Sequence, residues 1–285
     1  MKAEKFAVFT MDVESFTDTE CVSRSSANIG IDLLDGFDEY IRILDKYNIK
    51  STLFTVAALA PKMQDRLKRC IANGHRLALH SFEHSVTTDC SPQEFRKNMQ
   101  HAKTSLSSLF NTEILGFRAP FFGIDDERIN ILKDLGFKYD SSHLGFAKAR
   151  HSINPLFEGF KKLSDDIFCC EDFFEFGLSK EKVFGQPFPI SGGGYLRLTN
   201  WEIMKSVVKR YIETHDYYVF YLHPFELTRQ KIPNIPKLNI FDKIYLNVGI
   251  KTYGQHIEEL ILMLKESGYR FVTFEELSEI IATKN

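Results

Sequence analysis

The stretch KFAVFTMDVESF, residues 5–16, runs from a mostly apolar segment, KFAVFTM, straight into two carboxylates, Asp12 and Glu14. A short apolar run of this kind reads as a buried strand, and strands covered on both faces belong to parallel sheets. Asp12 and Glu14 are two positions apart, so in strand alternation both face the same side.

Working outward, the same unit recurs. LLDGFDEYIRILDKYN (33–48) carries apolar residues at helical spacing, and STLFTVA (51–57) reads as the next strand. PKMQDRLKRCIANG (61–74) begins with proline and ends with glycine, as helices prefer, and leads into the strand HRLALH (75–80). SPQEF (91–95) is a capping box with Pro92 at the first helical position of a helix reaching about Phe110. EILGFR (113–118) is a strand, DDERINILKDLG (125–136) a helix, and FKYDSS (137–142) a further strand end. Residues 145–200 break the rhythm and contain the run Gly192–Gly194; they read as an irregular insertion with hairpin character. The alternation then resumes. TNWE (199–202) reads as the capping box of a helix, and YYVFYLH (217–223) as a strand. A loop rich in Pro and Ile comes next, then a helix over about 255–267, YRFVTF (269–274), and a final helix capped by Thr273 with Glu276. Strands alternating with helices imply an α/β fold, a parallel sheet wrapped by helices. With no internal repeat, low-complexity tract or linker, residues 1–285 are expected to form one domain of (β/α)-barrel type.

Bulk properties narrow the function. The 285 residues are 44% hydrophobic and 26% charged, ordinary for a globular protein. A net charge of −2 argues against a nucleic-acid binder, which presents a basic face. The 26 Phe and 11 Tyr are chiefly core material. The N-terminal apolar run is too short for a signal peptide, and no stretch approaches the roughly 20 apolar residues of a membrane span. Cysteines 21, 70, 90, 169 and 170 show no CxxC spacing and fit reduced thiols. The expected location is the cytoplasm; oligomeric state is left open.

In such barrels the active site sits at the carboxyl ends of the strands. Just past those ends, in chain order, stand Asp12 and Glu14, then His80 and His84 in HSFEH, then Arg118 and Phe121, then Asp140, then His223. Each has a plain alternative: solvated carboxylates, an incidental histidine pair, a surface cation, a packed loop histidine. Five strand ends carrying ionisable groups are together a functional pattern. The remaining histidines (75, 101, 143, 151, 215 and 256) have no such setting and are expected to be structural or exposed.

The ordered set FTMDVESF, HSFEH, GFRAPFF, YDSS, PISGGGYLRL and FYLHPFE, spanning residues 9–226, resembles the polysaccharide deacetylases of the NodB-homology group (carbohydrate esterase family four), in the branch with a DVE first motif. The resemblance implies an irregular (β/α)7 barrel. It implies His80 and His84 as metal ligands, Arg118 as the group orienting the base, and His223 as general acid with Asp140 as its partner. It assigns the Phe121 N–H to the oxyanion. The 145–200 stretch and the Gly192–Tyr195 loop, with Gly193 and Tyr195, are expected to shape substrate access. The common family form has adjacent aspartates; here Val13 follows Asp12, so Glu14 takes the ligand role and Asp12 that of base. Two imidazoles and a carboxylate suit zinc, and equally iron, cobalt or manganese. The implied substrate is an acetylated amino sugar or saccharide. Two other readings stand beside it: an amidohydrolase acting on a formamide, cyclic amide or polyamine, and a catalytically silent carbohydrate-binding relative.

Overall fold

The computed structural model describes residues 4–25, 29–145 and 155–284. Among these the strands are β1 (Lys5–Val13), β2 (Ser51–Thr55), β3 (Arg76–Leu79), β4 (Gly116–Phe117), β5 (Tyr139–Asp140), β6 (Lys161–Ser164), β7 (Ile167–Cys170), β8 (Phe173–Phe176), β9 (Lys180–Val183), β10 (Gln186–Pro189), β11 (Tyr217–Leu222) and β12 (Tyr269–Val272). A ten-stranded sheet runs in the order β11-β1-β2-β3-β4-β5-β8-β7-β6, with β12 also on β1. β1 is its spine. One edge pairs with β11, while the other is shared lengthwise, with β12 along Lys5–Val8 and β2 along Phe9–Val13. All pairings from β11 through β8 are parallel; β6 and β7 add an antiparallel extension.

The sheet curls because its two faces bury different layers. Ala7, Phe9, Met11 and Val13 of β1 pack into the core under the helices, while Phe6 and Val8 join Phe54, Ala78, Tyr139, Phe174, Phe176, Val219 and Tyr221 inside the curl. The interior register of β1 therefore reads Phe6, Val8, Thr10, Asp12: apolar below, polar at the carboxyl end. β11 repeats it with Tyr217, Val219, Tyr221 and then His223, and β3 with Ala78 and His80. The interior is filled closely enough that a Cβ at Gly116 would lie 2.0 Å from the Tyr139 ring.

The curl closes without a ladder between β8 and β11. Irregular chain fills that seam: Tyr217 donates its hydroxyl to Gly177 O, Val219 N donates to Ser179 Oγ, and Tyr221 N donates to Ser191 O. Gly192 then bridges to Tyr221, where a Cβ would sit 2.0 Å from the Tyr221 carbonyl oxygen.

Several local expectations need correction. The 145–200 stretch is more than an insertion, since β8 is a parallel strand of the curl itself; its residues 146–154, with His151, lie outside the described residues. The glycine run opens a short helix, Gly193–Leu198. Pro61 precedes its helix, which covers Gln64–Ala72. In TNWE the cap is Asn200, whose side chain accepts from Glu202 N and Ile203 N. The Pro/Ile-rich loop contains a helix, Ile240–Asn247, and the next helix starts earlier than expected, at Ile250. The capping boxes Ser91–Glu94 and Thr273–Glu276 are both present as read.

Candidate active site

Arg118 organises the interior end of the curl. It is fully buried, and its guanidinium donates to Asp12 Oδ1 at 2.7 Å, Thr10 Oγ1 at 2.9 Å, Ser141 O at 2.9 Å and Ser141 Oγ at 2.9 Å. Its charge also lies 4.1 Å from the centre of the Phe54 ring, a cation–π contact deepened by burial. Asp12 is 2% exposed and is fixed in position against a permanent cation.

Glu14 turns elsewhere. Its Oε2 lies 2.7 Å from His84 Nε2 and 3.6 Å from His80 Nε2, yet has no well-directed hydrogen bond; His84 Nδ1 is likewise buried and unpaired. His80 Nδ1 is 2.8 Å from Arg118 O. A carbonyl only accepts, so Nδ1 carries the proton and Nε2 offers its lone pair toward Glu14. Ligand atoms of Glu14, His80 and His84 all lie within 4.8 Å of one another. An orphaned buried carboxylate oxygen facing two imidazole nitrogens, with one imidazole held in the ligating tautomer by a carbonyl, fits a divalent cation. Burial alone would raise the Glu14 pKa, but the charges of His84 and His223 and contacts with both HSFEH imidazoles hold it far below the usual carboxylate range.

His223 completes the constellation. Its Nε2 stands 4.0 Å from Asp12 Oδ2, and its Nδ1 lies 3.1 Å from Glu226 Oε2, which also accepts the His223 backbone N–H. Glu226 is fully buried and takes a charged bond from Arg197 Nε at 3.1 Å; Arg197 in turn donates to the carbonyls of Tyr245 and Val248. Burial pulls the His223 pKa down, but Glu14, Glu226 and Asp12 outweigh it and lift it to about 9. These three carboxylates favour the imidazolium form.

These groups open on a cavity of about 170 Å³, lined by Asp12, Glu14, His80, His84, Phe121, Tyr195, Tyr221, His223 and Tyr245 among others. Phe121 and Phe122 both hold left-handed backbone, at φ 54° and 58°, and the Phe121 ring meets His84 edge-on at 4.6 Å. Bulky residues rarely adopt that conformation, and such outliers gather at functional sites.

Two assignments do not survive the geometry. Asp140 is not the partner of His223; it is sealed from the cavity, bonded to Ser142 Oγ at 2.7 Å and set against the equally buried Glu175. Burial raises both acids, and the neighbouring Asp140 charge raises Glu175 further. Gly193 does not line the cavity either: it backs onto Tyr221, whose hydroxyl a Cβ there would approach to 2.7 Å. The partner of His223 is Glu226, three residues on in HPFE. That i, i+3 spacing before a short turn is a capping-box signature, and it was visible in the sequence. Tyr221 and Tyr245 were also missed; Tyr221 is found by carrying the interior register of β11 back two positions from His223. Of the other described histidines, His75 accepts from Ser51 N, while His215 and His256 stack on Tyr211 and Trp201, so those three serve packing.

Fold and site together define a class: a curled parallel α/β half-barrel of NodB type, with acid–base groups and a cation-fitting triad at its strand ends. A polysaccharide deacetylase family model matches residues 32–139, and a domain of unknown function (DUF3473) matches residues 151–279. One sheet runs through both segments. A peptidoglycan deacetylase-like protein of Gibberella zeae is 32% identical over 127 residues, 44% of this chain and 37% of that protein, so the chain spans well under half of this relative. Among solved structures, a Mycobacterium smegmatis protein assigned to the polysaccharide deacetylases has a TM-score of 0.62 at 14% identity, covering 100% of this chain and 93% of that one. A Bacillus anthracis pseudoenzyme of carbohydrate esterase family four has a TM-score of 0.56 at 13% identity, covering 98% and 66%. A Clostridium thermocellum acetyl xylan esterase of family four, solved with a cobalt ion, has 0.53 at 16%, covering 97% and 91%.

Proposed function

We propose that the protein is a metal-dependent hydrolase that removes an N-acetyl group from an amino sugar or saccharide. The observation that carries this is the convergence of Glu14, His80 and His84 beside an Asp12–Arg118 pair and a charged His223 on one small cavity. A divalent cation held by Glu14, His80 and His84 would make a bound water acidic and polarise the acetyl carbonyl; zinc suits the donor set best, with iron, cobalt and manganese also compatible. Asp12, oriented by Arg118, accepts the proton of the attacking water. The backbone N–H of Phe121 supports the negative charge that develops on the carbonyl oxygen. His223 donates its proton to the departing nitrogen, and Glu226 keeps that imidazole charged and aimed. Sharing its fold with a pseudoenzyme does not by itself make the chain active; retention of all these groups in mutual reach favours the active reading. The cavity is small beside ligand clefts of about 300–1,000 Å³ and suits one acetamido-sugar unit at a time. Five free thiols support a reducing compartment such as the cytoplasm.

The test is acetate release by metal-loaded protein from a panel of N-acetylated mono- and oligosaccharides, with formamides, cyclic amides and acetylated polyamines alongside. Turnover confined to the sugars supports the proposal. Turnover confined to the other amides reassigns the substrate, and none on any of them leaves the silent relative.

A second measurement addresses Glu226. An acid must be protonated to act, so the alkaline limb of kcat/KM should fall as pH rises through the His223 pKa. Glu226→Gln removes a charge that raises this pKa, so the limb should move to lower pH, by about 1 unit or more. An unmoved limb in a folded variant would separate Glu226 from the acid.

A further inference from the structure

The helix Ile240–Asn247 has an apolar face that is left uncovered among the described residues. Leu246 is buried and anchors the helix, whereas Ile240 and Phe241 are 64% and 79% exposed, and Ile244 and the following Val248 nearly half exposed. At 100° per residue these four fall within a sector of about 100°, on the side opposite Leu246. Two more exposed apolar residues, Tyr195 and Leu198, come from the adjoining helix Gly193–Leu198, which Arg197 ties to this one through Tyr245 O and Val248 O. An amphipathic helix normally turns this stripe inward.

The charge around it is one-sided. From residue 229 to 251 the chain has Arg229, Lys231, Lys237, Lys243 and Lys251 against the single acid Asp242. Asp242 is neutralised by Arg24, and Arg229 by Glu39. Lys231, Lys237 and Lys243 are exposed and form no ion pair among the described residues. Lys231 and Lys243 line one cleft along the helix together with the exposed Ile31. Exposed aliphatic and aromatic side chains flanked by unpaired lysines are the composition of a helix that lies in the interface of an anionic bilayer.

We infer that the Ile240–Val248 face docks the protein on an anionic lipid surface. Ile240, Phe241, Ile244 and Val248 enter the headgroup boundary, and Lys231, Lys237 and Lys243 meet lipid phosphates. Tyr245, on the same helix, lines the catalytic cavity, so docking places the cavity mouth beside the membrane plane. If the proposed deacetylation holds, the substrate is a saccharide presented at that plane, such as one carried on a lipid phosphate.

The experiment is cosedimentation of the full chain with phosphatidylcholine vesicles, with and without phosphatidylglycerol. Binding is expected to the anionic vesicles only and to weaken as salt is raised. Phe241→Glu with Ile244→Glu, and separately Lys231→Glu with Lys237→Glu and Lys243→Glu, should each lower the bound fraction at least about tenfold. Both sets are surface changes, so melting temperature and turnover of a soluble acetamido-sugar should match the parent, which keeps this outcome apart from any failure of the catalytic reading. No binding to anionic vesicles, or binding unmoved by the Phe241 and Ile244 changes, overturns the inference. So does a concentration-dependent dimer that the same changes dissolve, because a second copy would then cover the face.

Discussion

Asp12→Asn should lose about 10²–10⁴-fold in turnover while keeping its fold and its bound metal. The carboxylate sits 2.7 Å from Arg118 Nη1 and 4.0 Å from His223 Nε2, at the carboxyl end of the interior register of β1. An asparagine carbonyl can still accept from Arg118, whose remaining bonds to Thr10 and Ser141 are untouched. What disappears is the capacity to take a proton. Asp12→Ala is a different experiment: it leaves a fully buried guanidinium without its counter-charge, which costs about 3–5 kcal/mol and confounds activity with folding. Turnover, elemental analysis and melting temperature measured together decide the matter. Normal turnover in Asp12→Asn would place the base elsewhere. Loss of metal from that variant would make Asp12 a ligand and reverse the roles given to Asp12 and Glu14.

The sequence carried the polar layer of this site more clearly than its supports. Apolar strands that end in Asp12, His80, Arg118 and His223 can be read because strand period and burial act on every residue of the strand at once. Strands as brief as β4 and β5, two residues each, or β8, with Phe173–Phe176, give no period to read. β8 was hidden in what looked like an insertion because its membership in the sheet is decided by a long-range parallel pairing with β5. Charge partners follow the same logic. Glu226 is local to His223 and left a signature. Arg197, which holds Glu226, is 29 residues away along the chain and left none. Asp140 was misassigned because a carboxylate after a strand looks alike whether it faces the cavity or, as here, another buried acid. Helix caps were legible where the capping residue had no rival; in TNWE, Thr199 and Asn200 compete, and the side chain that reaches the free N–H groups is that of Asn200.

The second large effect concerns the triad itself. His80→Ala and His84→Ala should each strip the protein of bound metal, with affinity falling by more than the about 10–100-fold typical of losing a group that only supports a ligand. Both imidazoles belong to one short segment after β3, and each offers Nε2 toward the same Glu14 oxygen. Removing either leaves two donors, too few to hold a labile divalent ion against solvent. The two variants should differ in a second respect. His80 also donates to Arg118 O at 2.8 Å, so its loss loosens the peptide that leads into the strained Phe121–Phe122 turn. His84 makes no such bond, since its Nδ1 is unpaired. Restoring turnover by raising the metal concentration should therefore succeed further in His84→Ala than in His80→Ala. Metal content by elemental analysis, followed by titration with zinc and with cobalt, measures both effects. Stoichiometric metal retained in both variants would mean that Glu14, His80 and His84 are a buried polar cluster, and water activation would need a different account.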